Sequence, residues 1–451
     1  MFFISFTITD IYNHKNINLL KMFKKNPKII YSNYKNGNKN KPYYGLPKNI
    51  IFCSKCTYSN QKPDSEKEYT HTIKKVKEFL TFNKDYVCSA CSWHEKKEEI
   101  DWDSRKKELI KLCNKFRKKN GEFDCLVPGS GGKDSFYAAS KLKYEFGMNP
   151  LTVTFKPHLY TDIGKKNFDA WIASGLNNYL FSPNIKVQRL LTRISLENIF
   201  HPFQPFIMGQ MYFPPRMASF LNIPLIFYGE NPSEYGNDIN ANKKPTKNPE
   251  YFSTKNSKNI FISGININTL EKKFKIKKAD LSPYLPLDTK IFKENKISVE
   301  YLGYYLKWHP QEAYYYASEY GFEPAPERTA GTYSKYSGLD DKIDDLHYYT
   351  TYIKFGIGRA TYDSSQEIRN KDITREEGVS LVKKYDGEYP ARFEDEVFKY
   401  LSINEIEYPE LKSLFYQKDF NKQYFNQLVD KFRSPHLWNY KKGKWILRQS
   451  F

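Results

Sequence analysis

At 451 residues the chain is longer than one hydrophobic core usually grows, so at least two packed units are expected in series. With 37 Tyr, 33 Phe and a 40% apolar fraction, general disorder is excluded. The formal charge of +20 suits any polyanionic ligand, but Lys is spread among Asn, Tyr and Ile along the chain, which argues against one concentrated nucleic-acid stripe.

In chain order, residues 1–45 are rich in Asn, Lys and Tyr without periodicity and read as a flexible extension, with Met22 an alternative start. The opening carries neither a basic leader nor a long apolar run, and nothing later is long enough to span a bilayer, so a soluble cytoplasmic protein is expected. Residues 46–100 hold two cysteine pairs and suit a small metal-stapled module. Residues 101–240 read as an α/β domain. A helix is expected over DWDSRKKELIKLCNKFRKKNG, followed by the strand Phe123 to Val127, a Gly-rich turn, a helix and a second apolar run: one βαβ unit. A strand near Asn178–Phe181, a helix from Ile185 to about Asn198 and a strand Ile223–Tyr228 continue the alternation, which implies a parallel sheet covered by helices on both faces. Residues 241–298 open on a polar stretch and read as an insertion or substrate lid. Residues 299–451 are expected to be mainly helical, beginning with an aromatic helix pair interrupted at Pro310.

The turn Pro128-Gly-Ser-Gly-Gly-Lys-Asp-Ser135 places backbone N–H groups and a helix N-terminus at one point, a geometry that attracts phosphate. It is not a Walker A loop, because Asp134 follows Lys133 and Val127 stands where the first glycine belongs. Nor is it a dinucleotide fingerprint, whose third glycine is replaced by Asp134.

All six cysteines lie between positions 53 and 125. Cys53, Cys56, Cys88 and Cys91 form two CxxC pairs that can close a tetrahedral zinc site, with an iron–sulfur cluster or redox pairs as the competing readings. His71 and His94 are possible substitute ligands but read as surface residues, while Cys113 and Cys125 read as buried packing residues.

The SGGKDS segment resembles the PP-loop of the ATP pyrophosphatase superfamily, whose members cut ATP between its α and β phosphates and leave AMP on a substrate oxygen. That resemblance implies that Ser130, Gly131, Gly132 and Ser135 cradle the pyrophosphate, that Lys133 neutralises its charge, and that Asp134 helps place Mg²⁺. A wider resemblance runs from about residue 48 onward, through Ile51-Phe-Cys-Ser-Lys-Cys56 with the SNQKPDS that follows, PGSGGKDS, Tyr228-Gly-Glu-Asn-Pro-Ser-Glu-Tyr-Gly236 and HYYTTYIKFGIGRATYDSSQEIRNKDITREEGVSLVKKYDGEYP. These stretches are similar to the N-acetyl sugar amidotransferases that modify bacterial surface sugars. The family resemblance implies ATP, Mg²⁺ and structural zinc, a HisH-like glutaminase and a HisF-like ammonia-channelling partner, and a nucleotide-linked N-acetyl sugar converted to an acetamidino sugar for surface polysaccharide. Nucleic acid is not expected, and a tRNA-thiolating enzyme is the alternative class. Glu230 and Glu234, after a strand end, are candidates for contact with Mg²⁺, ATP or the sugar, with a surface turn as the competing reading. Arg359 and Asp363 are candidates for gripping the sugar or its phosphates, against helix capping and ordinary ion pairs.

Overall fold

A computed structural model describes residues 29–35, 41–64, 67–237, 243–403, 411, 415 and 417–451. The apolar run that enters the Gly-rich turn becomes strand β1 (Cys125–Pro128), the middle strand of a five-stranded sheet. The others are β2 (Pro150–Phe155), β3 (Asn177–Phe181), β4 (Leu225–Tyr228) and β5 (Ser298–Tyr301), in the order β3-β2-β1-β4-β5 and all parallel. Side chains alternate across the pleat, so Leu126 enters one apolar layer while Cys125 and Val127 enter the other, and all three are fully buried. From β1 the chain winds outward through β2 and β3, then returns to the far side of β1 to form β4. The carboxyl ends of β1 and β4 therefore flank a topological switch point, the place where open α/β sheets leave a crevice.

Before the C-terminal region the described helices of eight residues or more are α1 (Ser89–Glu98) in the cysteine module, then α2 (Trp102–Phe116), α3 (Lys133–Ser140), α4 (Asp162–Ala173), α5 (Ile185–Ile199), α6 (Gln204–Leu221) and α7 (Pro310–Glu319); α2, α3, α5 and α7 follow the sequence pattern, and α1, α4 and α6 add to it. Asp101 starts α2 by accepting the Ser104 N–H at 3.0 Å. Leu109, Phe136, Phe168, Trp171 and Ala317 from α2, α3, α4 and α7 share one layer, and Leu190, Ile194, Phe206 and Tyr212 from α5 and α6 share the other. Pro310 opens α7 at its first turn, where its missing N–H costs nothing, after a separate helical turn at Leu302–Tyr305.

Three expectations differ from the structure. The edge strand β5 lies beyond the supposed insertion, so the sheet is completed by residues past 240. Residues 243–297 do not form a lid: Phe252, Ile262, Leu270 and Phe274 are buried in the same layer as α5 and α6, because their apolar side chains need the cover that α6 provides. The described parts of the N-terminal stretch are packed as well. The Tyr34 hydroxyl donates to the Arg433 carbonyl at 2.9 Å and the Tyr44 hydroxyl to the Phe432 carbonyl at 2.6 Å. Residues 1–28 and 36–40, with the Met22 alternative start, lie outside the described residues.

The C-terminal region contains α8 (Asp344–Phe355), α9 (Arg359–Asn370), α10 (Arg375–Tyr385), α11 (Glu394–Leu401) and α12 (Lys422–Phe432). It ends in an antiparallel hairpin of β6 (Trp438–Lys441) and β7 (Lys444–Leu447). Both turn residues, Lys442 (φ 48) and Gly443 (φ 77), are left-handed, as a two-residue hairpin turn matched to strand twist requires.

Candidate functional site

The turn after β1 and the N-terminus of α3 open onto a cavity of about 570 Å³ at the switch point. Gly131 takes φ +89, and a Cβ there would sit 2.7 Å from the Phe168 Cα, so the turn can lie flat against α4 only without a side chain. Ser130, Gly132, Lys133, Asp134 and Ser135 line the cavity. The Lys133 ammonium lies 2.7 and 2.8 Å from the two Asp134 carboxylate oxygens and 5.3 Å from the centre of the Trp308 ring. The Ser130 hydroxyl donates to the Asp340 carboxylate, and the Ser135 hydroxyl donates to the Gly132 carbonyl at 2.9 Å.

Glu230, two residues past β4, faces this loop across the crevice and accepts a hydrogen bond from the Tyr235 hydroxyl. Burial and, after it, the nearby Asp134 charge push its carboxyl up to about 8. From the opposite wall come Asp340 ahead of α8, Asp344 at its start, and Arg359, Asp363 and Glu367 on α9. Arg359 Nε lies 3.2 Å from Asp363 Oδ1, one helical turn on, and its guanidinium covers the Tyr348 ring at 4.3 Å. Asp363 also accepts from the Thr332 hydroxyl at 2.6 Å, and Glu367 accepts from the Tyr333 hydroxyl at 2.6 Å. Burial raises Asp340 to about 6 and both Asp344 and Glu367 to about 7.

Of the sequence candidates, Ser130, Gly132, Lys133, Asp134, Ser135, Glu230, Arg359 and Asp363 thus meet at one cavity, while Gly131 packs against Phe168 on α4. Glu234 does not join them. Its carboxylate takes the Lys97 ammonium at 2.8 Å and the Trp93 indole N–H at 3.2 Å, and its carbonyl accepts from Arg369 at 2.7 Å. It ties the cysteine module to the loop after β4 and to α9 instead of facing a ligand. Asp340, Asp344, Glu367 and Tyr235 were missed. The signal for the first two was the acidic run Gly338-Leu-Asp-Asp-Lys-Ile-Asp-Asp345, an anomaly in a chain of net charge +20.

A crevice with amide N–H groups on one side and several carboxylates that titrate near neutrality on the other can hold a phosphate chain, a hard dication and a mobile proton together. Asp134 and Glu230 supply oxygen donors of the type Mg²⁺ prefers. The raised carboxyl of Glu230 makes a stability prediction. Its folded form holds a proton that the unfolded chain has already lost, so its contribution falls as pH rises from the ordinary carboxylate range through about 8. Glu230→Gln is therefore expected to gain on wild type in melting midpoint between about pH 6 and about pH 9. Parallel midpoint curves across that range would contradict it.

The four module cysteines are all buried thiols, with Cys53 Sγ 3.8 Å from Cys91 Sγ and Cys56 Sγ 3.7 Å from Cys88 Sγ. Thiolates about 2.3 Å from one tetrahedral ion are about 3.8 Å apart, so the cluster could hold a single ion such as zinc. Cys113 and Cys125 are buried elsewhere, in the layer below the sheet. His94 sits beside Glu98 at 3.8 Å and takes no part in the cluster. His71 is buried, not a surface residue.

Among the described residues no helix is long and apolar enough to cross a membrane. Residues 330–450, which carry the Asp340 to Glu367 wall, match the family described as "LPS biosynthesis protein WbpG-like, C-terminal domain". The likeness supports a place for the chain in bacterial surface-sugar biosynthesis. Over 83 residues, 18% of the chain, it is 32% identical to an uncharacterized protein of Methanocaldococcus jannaschii, and the chain spans 29% of that protein's length.

Proposed function

We propose that the chain is an ATP-dependent amidotransferase of the PP-loop type, acting on the acetamido group of a nucleotide-linked N-acetyl sugar destined for surface polysaccharide. The observation that carries this reading is the meeting, in one cavity, of the Ser130–Ser135 loop and the wall formed by the WbpG-like segment. An amide oxygen is a poor leaving group, and adenylylation is a direct way to make it a good one.

In this reading the acetamido oxygen attacks the α-phosphorus of ATP as the bond to pyrophosphate breaks. The loop N–H groups, Ser130, Ser135 and Lys133 take the negative charge that gathers on the departing pyrophosphate. Mg²⁺, held by Asp134 and Glu230, would add charge neutralisation there. Ammonia then adds to the activated carbon, a proton passes to a carboxylate of the facing wall such as Glu367, which burial raises to about 7, and AMP departs with the former amide oxygen. Arg359, steadied by Asp363, would hold the sugar or its diphosphate. Ammonia is expected from a HisH-like glutaminase through a HisF-like subunit, since all six cysteines are buried in the metal cluster or the core and none is set as a glutaminase nucleophile.

The test is pyrophosphate release from ATP with excess ammonium, across a panel of nucleotide-linked N-acetyl sugars and unmodified tRNA. Release that depends on a sugar, with a product one mass unit lighter, is the expected result. Release stimulated by tRNA alone would overturn the reading in favour of a nucleic-acid-modifying enzyme.

A further inference from the structure

We propose that Glu68, His71 and His201 form a second metal site, separate from the cysteine cluster, for one first-row divalent cation of the zinc type, with a coordination position open to its own cavity. Their donor atoms all lie within 4.8 Å of one another. His71 Nδ1 is 3.6 Å from Glu68 Oε2. Nitrogen and oxygen ligands about 2.1 Å from a tetrahedral ion are about 3.4 Å apart, so small side-chain rotations close the set around one ion.

The donors come from two segments whose backbones are fixed. Glu68 begins a single 3₁₀ turn, Glu68–Thr70, and His71 follows it. That turn is held to α6 by the Tyr69 N–H, which donates to the Tyr212 hydroxyl at 3.2 Å, and by Gln204 Nε2, which donates to the Glu68 carbonyl at 3.3 Å. His201 follows the left-handed residue Phe200 (φ 51) that ends α5, and the Ser195 hydroxyl donates to its carbonyl at 2.6 Å. The imidazole plane is fixed as well. The His347 ring stacks on His201 at 4.9 Å and 15°, and Phe203 stacks on His347 at 5.2 Å and 14°.

Glu68 Oε2 and His201 Nδ1 are buried atoms that make no hydrogen bond among the described residues. Groups so placed are costly to leave without a partner, and a cation between them supplies one. Two imidazoles and one carboxylate make the donor set of open zinc sites, whose fourth position is left to water or a ligand; magnesium and calcium would demand more oxygen donors than are present. Glu68, His71 and His201 all line a cavity of about 200 Å³. Lys77 and Lys354 also line it, which favours an anion such as hydroxide or a carboxylate as the fourth ligand.

The test uses the full chain, equilibrated with zinc and desalted. Elemental analysis is expected to give two zinc per chain in wild type and one in both His71→Ala and His201→Ala. Zinc X-ray absorption of the wild type, which does not depend on any variant folding, is expected to show a nitrogen and oxygen shell beside the sulfur shell of the cysteine cluster. A sulfur shell alone, or a second zinc that survives both substitutions, overturns the site.

Discussion

Lys133→Ala is expected to lower pyrophosphate release by about 10²–10³-fold while the protein stays folded. Lys133 is the first residue of α3, and its ammonium sits in the crevice against Asp134, facing the wall that holds Asp340. In the proposed reaction the charge it meets is largest when pyrophosphate is leaving, so its loss falls on turnover more than on ATP affinity. Stability should hardly change, because the partner Asp134 is about a third exposed, with 32% of its side chain accessible, and water can take over the solvation of its carboxylate. Turnover near wild type would remove the loop from the chemistry. A collapse in melting midpoint would instead show that Lys133 holds the fold.

Cys88→Ser is expected to release one equivalent of metal and lower the melting midpoint by on the order of 10 °C, because closed zinc sites contribute folding free energy directly. The consequence should reach the active crevice. Ser89, the next residue, donates to the Gly236 carbonyl at 2.8 Å, and Lys97 at the far end of α1 pairs with Glu234 at 2.8 Å. Both anchors hold the loop that carries Glu230. On the other side the Thr57 hydroxyl lies 2.8 Å from both the Ser364 and Ser365 hydroxyls on α9, the helix of Arg359 and Asp363. The module is a wedge between the two walls of the cavity, so activity should fall together with the metal. Cys113→Ser, in the other core layer, should keep the full metal content. Metal content unchanged by Cys88→Ser would contradict the cluster.

The parts of this arrangement written locally in the chain were legible. SGGKDS between an apolar run and an amphipathic helix needs no distant partner to fix its geometry, and two CxxC pairs bring their own knuckles. The strands from 125 to 228 and the helices α2, α3 and α5 lay within a few residues of expectation, whereas α4 and α6, the latter with Pro214 and Pro215 inside it, were not expected. What stayed hidden depends on distant packing. Ser130 meets Asp340 across 210 positions, and neither segment carries a mark of the other. Strand β5 was lost because four residues after a polar stretch look like the start of a helical region. Glu234 was read as a ligand contact from its place after a strand, yet the buried Lys97 that claims its carboxylate lies in the cysteine module. The closing hairpin was missed because its turn is Lys-Gly and lacks the Asn or Asp that usually announces one.

In the proposed reaction an acetamido oxygen of the sugar is activated by bonding to the α-phosphate of ATP. Heavy oxygen in the acetamido carbonyl of the sugar, supplied together with ATP and ammonium, follows that bond. Mass analysis of the released AMP should show the heavy oxygen transferred into its phosphate, with the amidino product carrying none of it. Unlabelled AMP formed alongside an aminated sugar, or a product that retains the label, would contradict the account.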